Sequence, residues 1–389
     1  MPRHWSDYRR FGRLPGAARN LVVYAESGQD WHHFRPVVLE LAGPLGLVLC
    51  YVSSDPEDPG LHQGHPGILP FCIGKGWLRT WFFQFLRADV LLTQLLDLQV
   101  LNLRRSIHPV HYVFMNHSLV STHVADREDS YDHYDTILCA GPHQLREIRR
   151  REERAGLRPK ELIPHGYHRV EQLMAERRDP PAIATPADLH VLLAPSWGPQ
   201  TILNSCGAEL VGILLEAGFT LTLRPHFQTR WQTPEVIDRI TARHAGHPRF
   251  RLVERMSESD SLLDSHVMIT DWSGAGLDYG LGLEKPVLYI DLPLKSRNPN
   301  WRTLGIEPFE SEVRKELGAV LAPGELARAP MLIRELVRDP ERFRVRIAAL
   351  RERCLYNLGH SGAAGARAVA EIAARQRGIG TGSRPGAAA

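Results

Sequence analysis

Short apolar runs that end at turn residues constrain the fold of this chain more than any other feature. The runs are rich in Val, Leu and Ile, and most of them show no strict alternation of apolar and polar residues, which is typical of strands covered by helices on both faces. They lie at 20–25, 45–52, 111–115, 136–140, 190–194, 219–224, 249–254, 266–270 and 286–291. Helix-like stretches separate them, including 143–155, 204–217, 233–245 and 276–283. This alternation predicts an α/β fold with parallel sheets.

A segment near the middle of the chain has the composition of a linker. Residues 176–188 contain three prolines, two of them adjacent, and show no periodicity. The order of strand, loop and helix starts again on both sides of it. We therefore expect two Rossmann-like domains, 1–180 and 181–360, whose parallel sheets face each other across a ligand-binding cleft. Residues 361–389 are expected to hold the end of a C-terminal helix and a tail, rich in Gly and Ala, that is disordered from Gly378.

The composition excludes several other classes of protein. Hydrophobic residues make up 43% of the 389 residues and charged residues 23%, as in soluble globular proteins. A net charge of +3 gives no reason to expect a nucleic-acid partner. The five cysteines are scattered without a C-x-x-C pair, which argues against a disulfide framework or a zinc site. The N-terminus lacks the apolar segment of a signal peptide, and no run is long enough to span a bilayer, so we expect a cytoplasmic protein.

The run at 266–270 leads into a turn of very small residues. Asp271 follows the strand, and Ser273–Gly276 opens a helix that carries Asp278 one turn further on. Small residues allow backbone N–H groups to approach an anion, and a helix N-terminus adds partial positive charge. These features favour a phosphate site, with Asp278 placed to accept from sugar hydroxyls. A tight turn that needs glycine only for packing is the alternative.

Two other strand ends in the same half carry groups that suit a phosphate. Ser196 follows the run at 190–194, while Arg224 and His226 follow the run at 219–224. Arginine offers a fixed fork of donors to phosphate oxygens, and histidine can bond a phosphate or stabilise a leaving group. Each residue alone has an ordinary structural explanation. Three such strand ends in one half favour a nucleotide site.

The N-terminal half presents histidines at two strand ends. His117 follows the run at 111–115 and is adjacent to Ser118, and His165 precedes Gly166 at a later strand end. An imidazole at the end of a strand can act as a general base towards an acceptor hydroxyl, because its unperturbed pKa lies near neutrality. We therefore take His117 as the candidate base.

Taken together, these elements resemble the CDP-glycerol glycerophosphotransferase family of teichoic-acid and capsule polymerases. The resemblance covers about residues 85–295. It consists, in order, of Asn-His-Ser at 116–118, Gly-Tyr at 166–167 with Leu at 173, Leu-Ala-Pro-Ser-Trp at 193–197, Arg-Pro-His at 224–226, Thr-Asp-Trp-Ser at 270–273 with Asp-Tyr at 278–279, and Lys-Pro-Val at 285–287.

The resemblance implies a GT-B fold and a transferase. Such an enzyme would move glycerol phosphate, or another polyol phosphate, from a CDP-linked donor to an acceptor hydroxyl in cell-surface polymer synthesis, and release CMP. The implied catalytic residues are His117 and His226. The implied donor-binding residues are Ser196, Arg224, His226, Asp271, Ser273, Gly274, Ala275, Gly276 and Asp278, and the acceptor-side candidates are Glu26, Asp30, Ser118 and His165. No cofactor and no metal site are expected, although a divalent ion that assists the reaction is left open.

This chain departs from the family pattern at three positions of the donor half. Gly274 replaces a second serine, Phe227 replaces a second proline and Trp272 replaces a tyrosine. The donor therefore remains open between CDP-glycerol, CDP-ribitol and a sugar nucleotide. One alternative is a GT-B glycosyltransferase or epimerase that uses a carboxylate such as Glu26 or Asp30. Another is a non-catalytic homologue that binds a nucleotide.

The acceptor is expected to be a polymer or a lipid-linked molecule, which raises the question of a membrane. The most aromatic stretch of the chain, 76–92, contains Trp77, Trp81 and Phe82 together with two arginines. It has two interpretations. One is an interfacial helix on the inner face of the cell membrane, and the other is a core helix of the first domain.

Overall fold

The computed structural model describes residues 2–96, 98–100, 103–253 and 260–381. The strands are β1 (Leu21–Ala25), β2 (Leu49–Ser53), β3 (Ile68–Cys72), β4 (Val90–Thr93), β5 (His111–Met115), β6 (Thr136–Cys139), β7 (Glu161–Pro164), β8 (His190–Leu193), β9 (Thr220–Leu223), β10 (Phe250–Leu252), β11 (Val267–Thr270), β12 (Val287–Ile290) and β13 (Gly318–Leu321).

The α-helices alternate with these strands along most of the chain. They are α1 (Pro2–Arg13), α2 (Trp31–Ala42), α3 (Trp77–Phe85), α4 (Thr122–Ala125), α5 (Pro142–Ala155), α6 (His168–Glu176), α7 (Ile202–Ser205), α8 (Gly207–Glu216), α9 (Phe227–Gln232), α10 (Pro234–Arg243), α11 (Asp260–Asp264), α12 (Gly274–Leu283), α13 (Phe309–Leu317), α14 (Ala329–Leu336), α15 (Pro340–Cys354) and α16 (Ser361–Thr381). No helix in these described ranges combines the length and the apolar character needed to cross a membrane.

The first compact unit is formed by the described residues of Met1–Ser118, Asp126–His168 and Leu355–Ala389. Its seven strands are all parallel, in the order β3-β2-β1-β4-β5-β6-β7. Strands β1, β2, β4 and β6 are buried along their whole length. Helices α2 and α16 cover one face of the sheet, with side chains such as Phe34 and Ile372, while α1 and α3 place Phe11 and Phe83 on the other face.

The second compact unit is formed by the described residues of Leu119–Ala125 and Arg169–Cys354. Its six strands are also all parallel, in the order β10-β9-β8-β11-β12-β13. The helix α8 places Leu210 and Leu214 against the central strands, and α14 adds Ile333. In both units the strand order reverses once beside the first strand of the unit, which is the arrangement of doubly wound sheets.

The prediction of an α/β fold built from two parallel sheets is confirmed. The chain passes between the units near residues 118, 125, 168 and 354, whereas the sequence interpretation set its boundaries after 180 and 360. The long helix α16 belongs to the first unit and packs on α2. The two helices approach each other closely at Gly362, where an added Cβ would lie only 2.9 Å from the Cβ of Pro36.

Some elements differ from the sequence prediction for identifiable reasons. The stretch 76–92 is not one helix, since α3 ends at Phe85 and the chain then enters β4. The helix expected at 204–217 is interrupted at Cys206, which separates α7 from α8. Strands β3, β4 and β13 were not predicted, because a proline interrupts β3, β4 lies in the stretch taken as a helix, and β13 begins with Gly-Ala. Helix α16 continues to Thr381, past the expected start of disorder at Gly378, while residues 382–389 and Glu254 lie outside the described residues.

Candidate functional site

The reversal of strand order in the second unit lies between β8 and β11, and it brings together two of the predicted site residues. The backbone N–H of Ser196 donates to Oδ1 of Asp271 over 2.8 Å, and the N–H of Ile202 donates to Oδ2 over 3.1 Å. Asp271 is only 1% exposed. Both of its oxygens are therefore engaged in holding the loop after β8 against the end of β11. Ligands of doubly wound sheets bind at such a reversal, at the carboxyl ends of the strands.

Helix α12 begins directly after this junction and presents its N-terminus at the same edge of the sheet. Ser273 is the N-cap residue, and its Oγ accepts from the N–H of Ala275 over 3.3 Å. The hydroxyl proton of Ser273 remains available for donation to a ligand. Asp278 lies in the second turn of α12 and is half-buried. The helix end and the hydroxyl together favour an anion near Ser273.

Gly274 and Gly276, the two glycines of this turn, are surrounded by different neighbours. A Cβ at Gly276 would lie 2.9 Å from Cγ2 of Thr270 and 3.1 Å from the hydroxyl of Tyr289, so this glycine is needed for packing. The packing interpretation therefore holds at Gly276. A Cβ at Gly274 would lie 3.3 Å from Cγ1 of Val120. This tight contact gives a physical reason for glycine where the family pattern has a second serine.

Val120 belongs to a short segment, 119–125, that is part of the second unit although it follows β5 in the sequence. The N–H of Phe309 donates to Oγ of Ser121 over 2.6 Å, and the N–H of Ser121 donates to Oε1 of Glu310 over 3.0 Å. The N–H of Arg297 also donates to the carbonyl of Val124 over 3.0 Å. These hydrogen bonds fix the segment beside the start of α12 and α13.

His226 stands at the end of β9 and has a defined proton arrangement. It is the N-cap residue of α9, and its Nδ1 accepts from the N–H of Gln228 over 3.1 Å. Since an amide N–H can only donate, Nδ1 carries no proton and the neutral ring carries its proton on Nε2. Burial, with a further contribution from the charge of Lys295, lowers the pKa of His226 to about 4. His226 is therefore a neutral donor through Nε2–H at neutral pH.

Trp197 and Lys295 lie beside His226, and neither was among the site residues predicted from the sequence. The ring of Trp197 stacks near that of His226, with centroids 6.1 Å apart. The Nζ of Lys295 lies 3.7 Å from the centroid of the Trp197 ring. Lys295 comes from the loop after β12, and nothing in the local sequence around it indicates that it reaches the loop after β8. Only the tertiary structure shows this contact.

Arg224 lies at the end of β9, beside His226 in the sequence, and donates to the hydroxyl of Ser261 over 3.2 Å. Trp272 has a structural role in the same region. Its Nε1 donates to the carbonyl of Leu292 over 2.7 Å, and the guanidinium carbon of Arg314 lies 3.9 Å from its ring centroid. The Trp272 ring is thus held between the loop after β12 and helix α13.

The first unit carries His117 at the end of β5. His117 is half-buried. The centroid of its ring lies 5.7 Å from the centroid of the His33 ring and 6.4 Å from the centroid of the Phe114 ring. Its Nδ1 has no hydrogen-bond partner among the described residues. Burial lowers the pKa of His117 to about 4, so the imidazole is neutral throughout the neutral range.

His33, in the first turn of α2, was not predicted as a site residue. Its ring stacks on that of Tyr167 with an interplanar angle of 15° and centroids 6.3 Å apart, and it also lies near His117. It therefore joins the start of α2 to the ends of β5 and β7. The pair of histidines that follows Trp31 in the sequence is the local signal that could have indicated it.

The four acceptor-side candidates lie in the first unit, and each has a structural environment of its own. Glu26 forms an ion pair with Arg79, and Oδ2 of Asp30 accepts from the N–H groups of Glu26 and Ser27 over 2.7 and 3.2 Å. The carbonyl of Ser118 accepts from Nε2 of Gln144 over 2.8 Å. His165 is 4% exposed and packs under α16, where a Cβ at Gly365 would lie 2.6 Å from its Nδ1.

Burial raises the pKa of the Asp30 carboxyl, whereas hydrogen bonds from the two backbone N–H groups favour its charged form. In the ranges that the structure describes, no three His, Cys, Asp or Glu side chains converge in a way that would hold a metal ion. The polar groups at the strand reversal of the second unit are backbone amides, the His226 imidazole, Arg224, Lys295 and the Ser273 hydroxyl.

Two doubly wound parallel units, with the polar residues of the second unit at its strand reversal, define the GT-B class of fold. Solved structures support this assignment. The wall teichoic acid polymerase TagF has 13% sequence identity and a TM-score of 0.58, covering 96% of this chain and 95% of its own. MnaA from S. aureus, solved with UDP, has the same identity and TM-score over 94% of this chain and 99% of its own. A glycosyltransferase from Rickettsia africae has 9% identity and a TM-score of 0.52, covering 91% and 98%.

No family model matches the chain, and no curated protein matches it. At identities of 9 to 13% the structural neighbours establish the fold alone.

Proposed function

We propose that this protein is a transferase that moves a polyol phosphate from a CDP-linked donor to an acceptor hydroxyl during the synthesis of a cell-surface polymer. The observation that carries the proposal is the cluster at the strand reversal of the second unit. There the N-terminus of α12, the Ser273 hydroxyl and the Nε2–H of His226 offer donors to a diphosphate, with Lys295 close by. The ordered sequence elements that resemble the glycerophosphotransferase family favour this chemistry over other nucleotide-dependent reactions, and the fold, which is shared with a teichoic acid polymerase, is compatible with it.

In the proposed reaction the acceptor oxygen attacks the β-phosphorus of the donor. A bond forms between that oxygen and the β-phosphorus, and the bond from the β-phosphorus to the bridging oxygen breaks. CMP leaves with the bridging oxygen and its electron pair, and the proton of the acceptor hydroxyl passes to His117. Phosphoryl transfer requires little covalent participation by the protein, so catalysis rests on positioning and on stabilising charge.

The donor half supplies that stabilisation in this proposal. Arg224 and Ser273 bind oxygens of the diphosphate, and His226 donates its Nε2–H to the leaving phosphate. Asp271 keeps the loop after β8 in place through its two amide bonds rather than touching the donor. Asp278 accepts from hydroxyl groups of the ribose or the polyol.

His117 is assigned the role of general base. With a pKa of about 4 it is unprotonated at neutral pH, which is the form that a base requires. A ring of such low basicity gains strength when negative charge approaches, because an anion favours the imidazolium form.

A thermal-shift panel tests the donor class. The compounds are CDP-glycerol, CDP-ribitol, CMP, UDP-GlcNAc and UDP. A ligand at 100 times its Kd stabilises the folded state by about 2.7 kcal/mol, which is a measurable shift. We expect the cytidine compounds to stabilise the protein and the uridine compounds to have little effect.

His226→Ala should lose most of that shift, while His133→Ala, which changes an exposed histidine of the first unit, should keep it. Stabilisation by uridine compounds alone would refute the proposed donor and favour a sugar-nucleotide enzyme.

We also propose that the protein contacts an anionic membrane surface through α3. Trp77, Trp81 and Phe85 follow one another at helical spacing and are 51%, 45% and 47% exposed. The opposite face of α3 is buried and includes Phe82 and Phe83, so the interpretation as a core helix is correct for that face. Aromatic side chains exposed in a row on a helix are typical of an interfacial segment.

The neighbouring helix α1 supplies positive charge beside this aromatic row. Its Trp5 ring lies 5.6 Å from that of Trp77, and the guanidinium carbon of Arg9 lies 4.9 Å from the Trp5 ring. Arg9 and Arg13 are exposed. Exposed aromatic rings with adjacent arginines complement a bilayer that contains anionic phospholipids.

Flotation with vesicles tests this contact. Wild type should float with vesicles that contain phosphatidylglycerol and much less with pure phosphatidylcholine. The double variant Trp77→Glu and Trp81→Glu should remain at the bottom of the gradient. Trp231→Glu is the matched control, because Trp231 is 88% exposed but lies in the second unit. Equal flotation of the double variant and wild type would refute the contact.

A further inference from the structure

Lys295 occupies an unusual position for a lysine. It lies in the loop after β12, where it is half-buried, and its Nζ sits 3.7 Å from the centroid of the Trp197 ring. It forms no hydrogen bond and no ion pair with any described residue. A lysine whose ammonium group is partly removed from water normally has a carboxylate partner, because the loss of hydration is costly. Among the described residues, the direct contact of its ammonium group is with the face of the Trp197 ring.

The groups around Lys295 do not neutralise it. Asp271 is the nearby acid, but its two oxygens already accept from the N–H groups of Ser196 and Ile202. Arg297, on the same loop, adds positive charge. His226 is neutral, and its pKa is lowered further by the charge of Lys295. An unneutralised cation therefore lies among the loops that follow β8, β9, β11 and β12.

We infer that Lys295 is a donor-binding residue whose ammonium group bonds an oxygen of the diphosphate in a nucleoside-diphosphate-linked donor. This inference rests on the proposed function of the same site and adds the cation that the donor's charge requires. The face of the Trp197 ring already contacts the ammonium group of Lys295. This contact restricts the long side chain before the ligand arrives, so less conformational entropy is lost on binding. Asp271 acts indirectly, because it fixes the loop that carries Trp197.

The choice of lysine has a measurable consequence for pH dependence. Burial is the main reason that the pKa of Lys295 is lowered to about 8, with Arg297 acting in the same direction and Asp271 opposing it. Above that pH the free protein loses the ammonium charge and must take up a proton to bind a diphosphate. Affinity should therefore fall about tenfold for each pH unit above 8, until the pKa of the complex is reached.

Isothermal titration of the full chain with CDP, UDP and ADP between pH 7 and 9.5 tests the inference. At pH 7, Lys295→Met should weaken binding about 10- to 100-fold, the usual effect of losing a charge-assisted hydrogen bond. Its affinity should no longer fall at alkaline pH. Lys295→Arg should bind nearly as well as wild type at pH 7 and should also lose the alkaline fall, since guanidinium stays charged. Lys315→Met, at an exposed lysine of α13, should behave as wild type.

The outcomes separate this inference from the proposed function. Binding of CDP that Lys295→Met leaves unchanged would overturn the inference and leave the proposed donor intact. Weaker binding with an unchanged pH profile would also overturn it, because a purely structural lysine acts in that way. Binding of UDP but not CDP, weakened by Lys295→Met, would support the inference and refute the cytidine donor. No binding of any nucleoside diphosphate by wild type would overturn both.

Discussion

The two compact units have the same type of parallel sheet, yet the polar residues at their carboxyl edges are held in different ways. In the second unit, hydrogen bonds to the backbone fix Asp271, His226 and Ser273. In the first unit, His117 is surrounded by the rings of His33 and Phe114, and its Nδ1 has no partner among the described residues. One edge is fixed before any ligand arrives, whereas the other has its candidate base held by ring packing.

The strand reversals differ in the same way. At the reversal of the second unit, between β8 and β11, Asp271 joins two loops and a helix N-terminus opens beside it. At the reversal of the first unit, between β1 and β4, Glu26 is paired with Arg79 and Asp30 accepts from nearby backbone amides. The same topology therefore holds polar groups by backbone hydrogen bonds at one strand reversal and pairs charged side chains with their own surroundings at the other. Donors fixed in advance stabilise charge without reorganisation, which suits the side that would hold a diphosphate.

The largest expected effect comes from removing the candidate base. His117→Ala should lower turnover by about 10²- to 10⁴-fold, the usual contribution of a general base, while the Kd of the donor stays within about twofold of wild type. His226→Ala should instead weaken donor binding as well as turnover, because it removes a donor to the phosphate. Steady-state kinetics and titration of the donor check both variants.

His133→Ala is the control for the loss of a histidine from the first unit. Near-normal turnover of His117→Ala would remove His117 from the mechanism. Weakened donor binding in that variant would show that the two edges do not have separate roles.

The second effect concerns the fixed edge. Asp271→Ala should lower the free energy of unfolding by about 3 kcal/mol, because two amide donors of the loop after β8 lose a charged acceptor in the protein interior. Urea unfolding measures this difference. Asp278→Asn is the matched control on a half-buried acid of the same unit, and it should change stability by less than about 1 kcal/mol while it weakens donor binding. Equal destabilisation by the two variants would contradict the structural role given to Asp271.

The smallest effect is a pH dependence that both edges should share. Burial lowers the pKa of His117 and of His226 to about 4, below the value of about 6.5 in an unfolded chain. The unfolded state therefore binds more protons as pH falls from 6.5 towards 4, so stability decreases over that window. His226→Gln should reduce this slope by at most about 1.4 kcal/mol per pH unit, and His117→Gln should act similarly.

Urea midpoints measured between pH 4 and 7 provide the comparison. His133→Gln serves as a control because it changes an exposed histidine of the first unit. A slope that neither substitution changes would mean that the two rings are not buried in their neutral form in solution.

Much of the fold could be predicted from local patterns. Apolar runs such as those at 190–194 and 266–270 have the length and composition of buried strands, and these residues form β8 and β11. The small residues after Asp271 predicted a helix start, and α12 begins at Gly274. Whether the residues at these strand ends bind a donor stays a prediction. Less regular strands were missed, because β3 contains a proline and β13 starts with two small residues that carry little hydrophobic signal.

The sequence by itself determined most of the strands and helices and the chemical character of the residues at the strand ends, because periodicity and turn chemistry act over a few neighbouring residues. Only the tertiary structure decided that the ammonium group of Lys295 lies over the Trp197 ring and that both carboxylate oxygens of Asp271 accept from backbone amides. It also decided that α16 packs on α2. These contacts join residues far apart in the chain. Their existence depends on how helices and loops pack against a completed sheet, and no local pattern encodes that packing.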